Sequence, residues 1–478
     1  MQFPTHQTLT IMTTSTSQNT HETDTANNAS CTTISTILTL AIPTFGQLIA
    51  EPAFVLIDTA IVGHIGGQAL AGLSVGSTIV LTVVGLCVFL AYSTTSQVGR
   101  LLGAGKRREG LEAGVDGLWL AGIIGVVVSV ALFVIARPLC MAMGAQGSVL
   151  HNAVDYVRAV VFGIPGMLLV YAANGIFRGL QKVRITLVAA TLGAILNTLL
   201  DLLFILGFGW GVFGSGVATL ISQWFMAVLL IVPAMLWTRA EGARLRPRLS
   251  GVLNSAGDGA VLFLRTLALR ACLVANVVLA THMGVEVLAA YQVVNSSWNF
   301  VLNMLDAIGI AGQTLVAAQI GARQEDEAMR LTRIAGRAGL CGGTVIGIGL
   351  MIAGWCASPL FSQSIEIQHL LTVGMVVVGV TLPLAGWMWA VDGILIGAGD
   401  YRYLALTCTA TAAIYVPCLA AIGWICDAGV FRAAYGIAVA CGESVICRIA
   451  CHFQWVPYRN FHMVAYRTLK SACDGSLT

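Results

Sequence analysis

Charge is what this sequence has least of. Only 10% of its 478 residues are Asp, Glu, Lys or Arg, against about 25% in an ordinary globular domain. Together with 57% hydrophobic residues and a mean hydropathy of +0.85, this excludes a normally solvated surface and points to a polytopic membrane protein. The net charge of +3 is too small to argue for a nucleic-acid partner. The thirteen cysteines include no Cys-x-x-Cys pair. Cys447 and Cys451 lie one helical turn apart beside His452, but cysteines scattered through apolar segments read as packing residues rather than metal ligands. No Asp-x-x-x-Asp motif is present, which removes the Mg²⁺–diphosphate site that a membrane-embedded prenyl transferase needs. No enzymatic constellation or cofactor motif stands out, and nothing calls for an obligate protein partner. Residues 1–33 lack both an apolar core and a basic n-region. They read as a disordered polar tail in the cytoplasm, neither signal peptide nor membrane span, with Met12 as a second candidate start.

What is present is a series of apolar runs. A bilayer-crossing helix needs about 20 residues, and runs of that order appear near 34–62, 72–98, 115–137, 152–177, 183–206 and 213–237, then 256–281, 287–317, 329–355, 371–396, 402–425 and 432–456. The expected fold is therefore an all-α polytopic membrane protein with twelve transmembrane helices. Basic residues crowd alternate loops: "GRLLGAGKRREG", "RGLQKVR", "TRAEGARLRPR", "ARQEDEAMRLTRIAGR" and the tail after 456. The intervening loops are almost bare, Arg137 and Arg432 excepted. The positive-inside rule then places both termini in the cytoplasm of a cell-membrane protein.

The second half repeats the first at an offset of 218 residues. His64 and Gly66 fall on His282 and Gly284, Gly103 on Gly321, Pro165 on Pro383, Gly175 on Gly393 and Gly179 on Gly397. With an even number of spans per unit, both halves enter from the same side. That is the parallel-repeat plan of a two-lobed carrier with its substrate cavity between the lobes. The implied division is a first lobe over 34–238, a cytoplasmic linker over 239–255, a second lobe over 256–456 and a cytoplasmic tail over 457–478.

Ionisable groups at membrane depth are costly and usually face a cavity or a partner. Span 1 carries Glu51 and Asp58, seven residues apart on one helical face, with Pro52 inviting a bend. Span 4 offers Asn174, span 5 Asn197 and Asp201, and span 6 Thr219. Carboxylate, amide and hydroxyl oxygens suit a hard cation, so Na⁺ or H⁺ can occupy such a site reversibly. The competing reading is helix glue, in which Asn197 and Asp201 only hydrogen-bond neighbouring helices. The repeat supplies a control, because structural glue should recur in both halves. Instead Asp58 becomes Asn276, Asn174 becomes Asp392, Asn197 becomes Tyr415, Asp201 becomes Leu419 and, after two extra residues, Thr219 becomes Val439. The first lobe is thus the expected ion-binding lobe. In the second, Asp392 stands alone beside Trp387 and Trp389, a setting that suits a cationic amphiphile through charge and cation–π contact. Arg265 and Arg270 in span 7 read as packing or topology residues, with Asp258 or Asp306 as candidate partners.

"EPAFVLIDTAIVGHIGG", "ANGIFRGLQKVR", "NTLLD", "GVFGSGVATLISQ" and "VDGILIGAGD", in this order, resemble the multidrug and toxic compound extrusion (MATE) family, in its DinF-like branch. The resemblance implies two six-helix bundles and export of drug-like or metabolite molecules by H⁺ or Na⁺ antiport. It also implies a cation site at Asp58, Asn174, Asn197, Asp201 and Thr219. Two departures stand out: Lys182-Val183-Arg184 follows "RGLQ" where many relatives have an Asp-Thr-Arg-like turn, and span 7 carries Arg270 where some relatives have an acidic residue. The expected function is a secondary active efflux transporter for cationic or amphipathic organic substrates, working by alternating access in the lipid bilayer. A flippase for lipids or lipid-linked precursors, which should show a strongly basic cavity, is the alternative. A receptor or channel would not require the two-lobe repeat.

Overall fold

A computed structural model describes residues 35–50, 52, 56–282, 285–361 and 364–427. Helix α1 (Ser35–Ala50) resumes over residues 56–63. It is followed by α2 (Gly67–Leu86), α3 (Phe89–Gly103), α4 (Arg107–Ala142), α5 (Gly147–Val160), α6 (Ile164–Gly179), α7 (Val183–Asp201) and α8 (Gly211–Ala240). The second half supplies α9 (Leu249–His282), α10 (Val285–Gly321), α11 (Glu325–Phe361), α12 (Ile365–Ala398) and α13 (Tyr401–Asp427). Among the described residues ten helical stretches are long and apolar enough to cross a membrane, with α2 and α3 counting as one. The twelfth expected span lies outside the described residues, as do Glu51 and the Cys447–Cys451–His452 group.

Large apolar side chains point outward at helical spacing, such as Val126, Val130 and Val134 on α4 and Val345, Ile348 and Ile352 on α11. Water would penalise such stripes, whereas lipid accepts them. Inside, small residues let helices touch backbone to backbone, and the contacts themselves obey the 218-residue offset. A Cβ on Gly175 would stand 2.7 Å from the Ala91 carbonyl oxygen, and one on Gly393 would overlap the carbonyl of Gly309, the counterpart of Ala91. Gly125 meets Pro165 as Gly343 meets Pro383. Between the lobes, Gly103 abuts Ala318 while Gly321 abuts Arg100, each contact the other's image. The repeat is therefore a property of the packing as well as of the sequence.

The Gly103–Gly321 crossing lies at the ends of α3 and α10 that lead into basic loops. Nearby, the Ser96 hydroxyl donates to the Gly397 carbonyl at 3.0 Å, and the Gln97 amide donates to Asp258 at 3.1 Å. One departure from the sequence-derived boundaries falls here. Helix α9 begins at Leu249, inside the expected linker, and its Ser255 donates to Gln97 of α3 at 3.2 Å.

Among the described residues, three irregularities interrupt the spans. Span 2 breaks at Cys87 and Val88, span 4 tightens into a 3₁₀ turn over Val161–Gly163, and span 5 changes to π-helix over Leu202–Gly207. The last begins at the residue after Asp201, and π-helical turns often accompany functional sites.

Candidate cation site in the first lobe

Helix α7 buries Val183, Thr186, Ala189, Gly193, Asn197 and Asp201, a spacing of three and four that traces one face. Gly193 allows that face to approach Met226 of α8. Asp58 comes from residues 56–63, Asn174 from α6 and Thr219 from α8. All five side chains are buried, and Asp201 is fully so at 0% exposure. Asp58, Asn174 and Thr219 line a solvent-open cavity together with Gln47, Tyr171 and Gln223. Asp201 lies deeper, within electrostatic reach of Asp58.

The hydrogen bonds are unevenly distributed. Ser215 donates its hydroxyl to Asp58 Oδ1 at 2.7 Å. Both carboxylate oxygens of Asp201, both polar atoms of the Asn197 amide and Asn174 Oδ1 are buried without a hydrogen-bond partner. Leaving a polar atom in that condition costs about 1–3 kcal/mol. Helix glue must make the interhelical bonds that define it, and Asn197 and Asp201 make none. The donor set is carboxylate, amide and hydroxyl oxygen, which fits H⁺ or a hard cation such as Na⁺. No group of three or more His, Cys, Asp or Glu side chains suited to a metal occurs among the described residues.

Two members of the site went unread in the sequence. Ser215 lies one turn before Thr219, a spacing that could have revealed it. Tyr156 of α5 lies beside Thr219 and within electrostatic reach of both Asp58 and Asp201. Its placement depends on Gly216, where a Cβ would stand 3.0 Å from the Tyr156 carbonyl oxygen. Nothing in the sequence of span 4 marks that tyrosine.

Other residues singled out in the sequence fare differently. Pro52 is helical and exposed. Asp392 does not stand alone: it is buried in an ion pair with Arg265, and neither Asp258 nor Asp306 is the arginine's partner. Asp306 instead accepts a hydrogen bond from the Tyr92 hydroxyl across the lobe boundary at 3.2 Å. Trp387 and Trp389 are half-buried and pack on the second lobe's apolar core. The lone carboxylate beside aromatic rings that suggested a cationic amphiphile is therefore not what the structure contains.

Two pseudosymmetric helical lobes, with polar side chains buried at membrane depth, define a membrane transporter rather than an enzyme. The MatE family model matches residues 43–203 and 262–420, one stretch in each lobe, and the chain belongs to that family. It is 26% identical to Protein DETOXIFICATION 43 of Arabidopsis thaliana over 446 residues, covering 80% of this chain and 83% of that protein. It is likewise 26% identical to DNA damage-inducible protein F of Escherichia coli over 395 residues, covering 81% and 85%. Among solved structures, the Vibrio cholerae MATE transporter VcmN in its bent form superposes with a TM-score of 0.80 at 20% identity, covering 93% of this chain and 98% of that one. A MATE transporter described in the straight conformation gives 0.76 at 20% identity, covering 89% and 95%.

Proposed function

We propose that the protein is a secondary active exporter of small organic molecules, with import of H⁺ or Na⁺ at the first-lobe site driving export through the cleft between the lobes. The observation that carries this reading is the cluster of unpartnered oxygen and nitrogen atoms on Asn174, Asn197 and Asp201 beside Asp58. A cation arriving there neutralises carboxylates that burial otherwise penalises and takes up their free lone pairs. Span 1 then bends near Pro52 and alters the first-lobe cavity, so substrate hold and cation occupancy oppose one another. Similar transporters are described in a bent form and in a straight conformation, and a bending step belongs to this reading. In this reading the protein sits in the cell membrane with both termini in the cytoplasm, as the distribution of basic loops suggests.

The test is ethidium efflux from proteoliposomes under a pH gradient or a Na⁺ gradient imposed separately. Movement driven by one gradient, and lost in Asp201→Asn, supports the reading. Gradient-independent movement, or an Asp201→Asn variant that still couples, refutes it.

A further inference from the structure

Arg158 stands where a charge is hard to keep. It lies about 17 Å along α5 from the helix start at Gly147, and it is exposed. The surface around it is apolar. Val126, Val130, Phe133 and Val134 of α4 point outward there, as does Phe162 just past the end of α5, and such a stripe faces lipid. The Arg158 guanidinium lies over the Phe133 ring, 5.5 Å from its centre, and Phe133 meets Phe162 at 5.8 Å. Side chains lean toward a helix N-terminus, so Arg158 reaches back toward the headgroups on the side of the charge-poor loops. Arg137, the odd basic residue on that side, is exposed on α4 one turn beyond Phe133.

The described helices offer these two arginines little counter-charge. Between Val126 and Phe162 the only acid is Asp155, which lies 3.3 Å from His151. Besides α4, the long helices packed on α5 are α2 and α8. Helix α2 has no charged residue, and α8 has none before Arg239 near its far end. The parts of span 1 on either side of Glu51 face α6, α7 and α8: Gln47 accepts from Arg178, Gly46 abuts Leu187, and Asp58 accepts from Ser215. The aromatic platform is also held from behind. The Phe162 carbonyl accepts from the Trp224 indole at 2.9 Å, and the Val161 carbonyl accepts from the Ser129 hydroxyl. Stacking on Phe133 thus steadies the guanidinium without consuming its N–H donors. A ligand that satisfies this surface offers an anion to those donors and an apolar tail to the stripe beneath them.

We infer that the outward face of α4 and α5 is a binding site for an anionic phospholipid, its phosphate held by Arg158 and Arg137 and an acyl chain lying along Phe133, Phe162 and Val130. The planar guanidinium fork matches phosphate geometry. The site does not depend on which solute the protein moves. It has a consequence for the cation site, because α5 buries Tyr156 beside Thr219 only two residues from Arg158. A lipid bound outside therefore braces one wall of that site.

The full chain, delipidated in a neutral detergent, is titrated with dioleoyl phosphatidylglycerol, with dioleoylglycerol or with glycerol phosphate. Binding is read by native mass spectrometry and by thermal unfolding. The expected result is saturable binding of the phospholipid with a raised unfolding temperature, and neither effect from the other two ligands. Arg158→Gln weakens that binding about tenfold or more. Its lipid-free unfolding temperature stays near the wild-type value, since no ion pair is lost. Arg158→Lys, which keeps the charge but lacks the fork, falls between. Binding by Arg158→Gln equal to that of the wild type overturns the inference. So does equal binding of dioleoylglycerol, which would mean an apolar groove alone, or equal stabilisation by glycerol phosphate, which would mean a site for free anions.

Discussion

The two lobes share one scaffold and differ in how far its central polar atoms are satisfied. In the first lobe, Asp58, Asn197 and Asp201 bring together two carboxylates and an amide, and only Asp58 finds a hydrogen-bond donor, in Ser215. At the same places in the second lobe stand Asn276, Tyr415 and Leu419. There the Tyr415 hydroxyl donates to Asn276 Oδ1 at 2.6 Å, and Leu419 joins Cys272, Leu279, Ala280 and Tyr291 in a buried apolar cluster. Asn174 of the first lobe becomes Asp392, and Gln47 becomes Arg265, which closes a buried ion pair. The second lobe has thus given internal partners to most of the positions that the first holds open, although Asn276 Nδ2 and Arg265 Nε remain buried without one. Pseudosymmetric packing fixes where polar side chains meet, and the residue types decide whether they meet each other or wait for a ligand.

That contrast can be broken from either side. The largest effect is expected for Asp201→Asn, which abolishes gradient-driven transport in proteoliposomes while unfolding at no lower temperature, since it removes a buried charge that has no protein partner. Next comes the second-lobe ion pair. Arg265→Met or Asp392→Leu alone leaves a buried charge uncompensated and is expected to cost about 3–5 kcal/mol. The double variant should recover most of the loss, as judged by thermal unfolding in detergent. Tyr415→Phe deprives Asn276 of its donor and should cost about 1–3 kcal/mol, with the ratio of coupled to uncoupled transport unchanged. A drop in that ratio would show that the second lobe takes part in coupling. The smallest effect belongs to Ser215→Ala. It frees Asp58 Oδ1 and should shift the cation concentration for half-maximal transport a fewfold while leaving maximal transport near the wild-type level.

Much of this was legible before any coordinates. The spans follow from composition, since apolar runs this long with so few charges have no soluble alternative. The repeat follows from glycines and prolines, which mark close backbone approaches that leave little choice of residue type. Asp58, Asn174, Asn197, Asp201 and Thr219 could be nominated because a polar side chain at membrane depth needs a reason. Pairings across helices were not legible. Arg265 finds Asp392 rather than Asp258 or Asp306 because the rotation of α9 against α12 decides the partner, and a linear sequence carries no record of that rotation. Tyr156 escaped notice for a related reason: a tyrosine in an apolar span reads as ordinary core until Gly216 brings α8 against it. The break at Cys87 and Val88 was equally silent, with neither residue a helix breaker and no proline beside them.

The account rests on the first lobe alone holding the coupling cation, and the most direct test is cation binding to purified protein in detergent. Binding of ²²Na⁺, and proton uptake in a weakly buffered solution, would be measured for the wild type, Asp201→Asn and Tyr415→Phe. A saturable site for one of the two ions, lost in Asp201→Asn and kept in Tyr415→Phe, is the predicted result. Undiminished binding by Asp201→Asn would contradict the account and move the coupling site elsewhere in the chain.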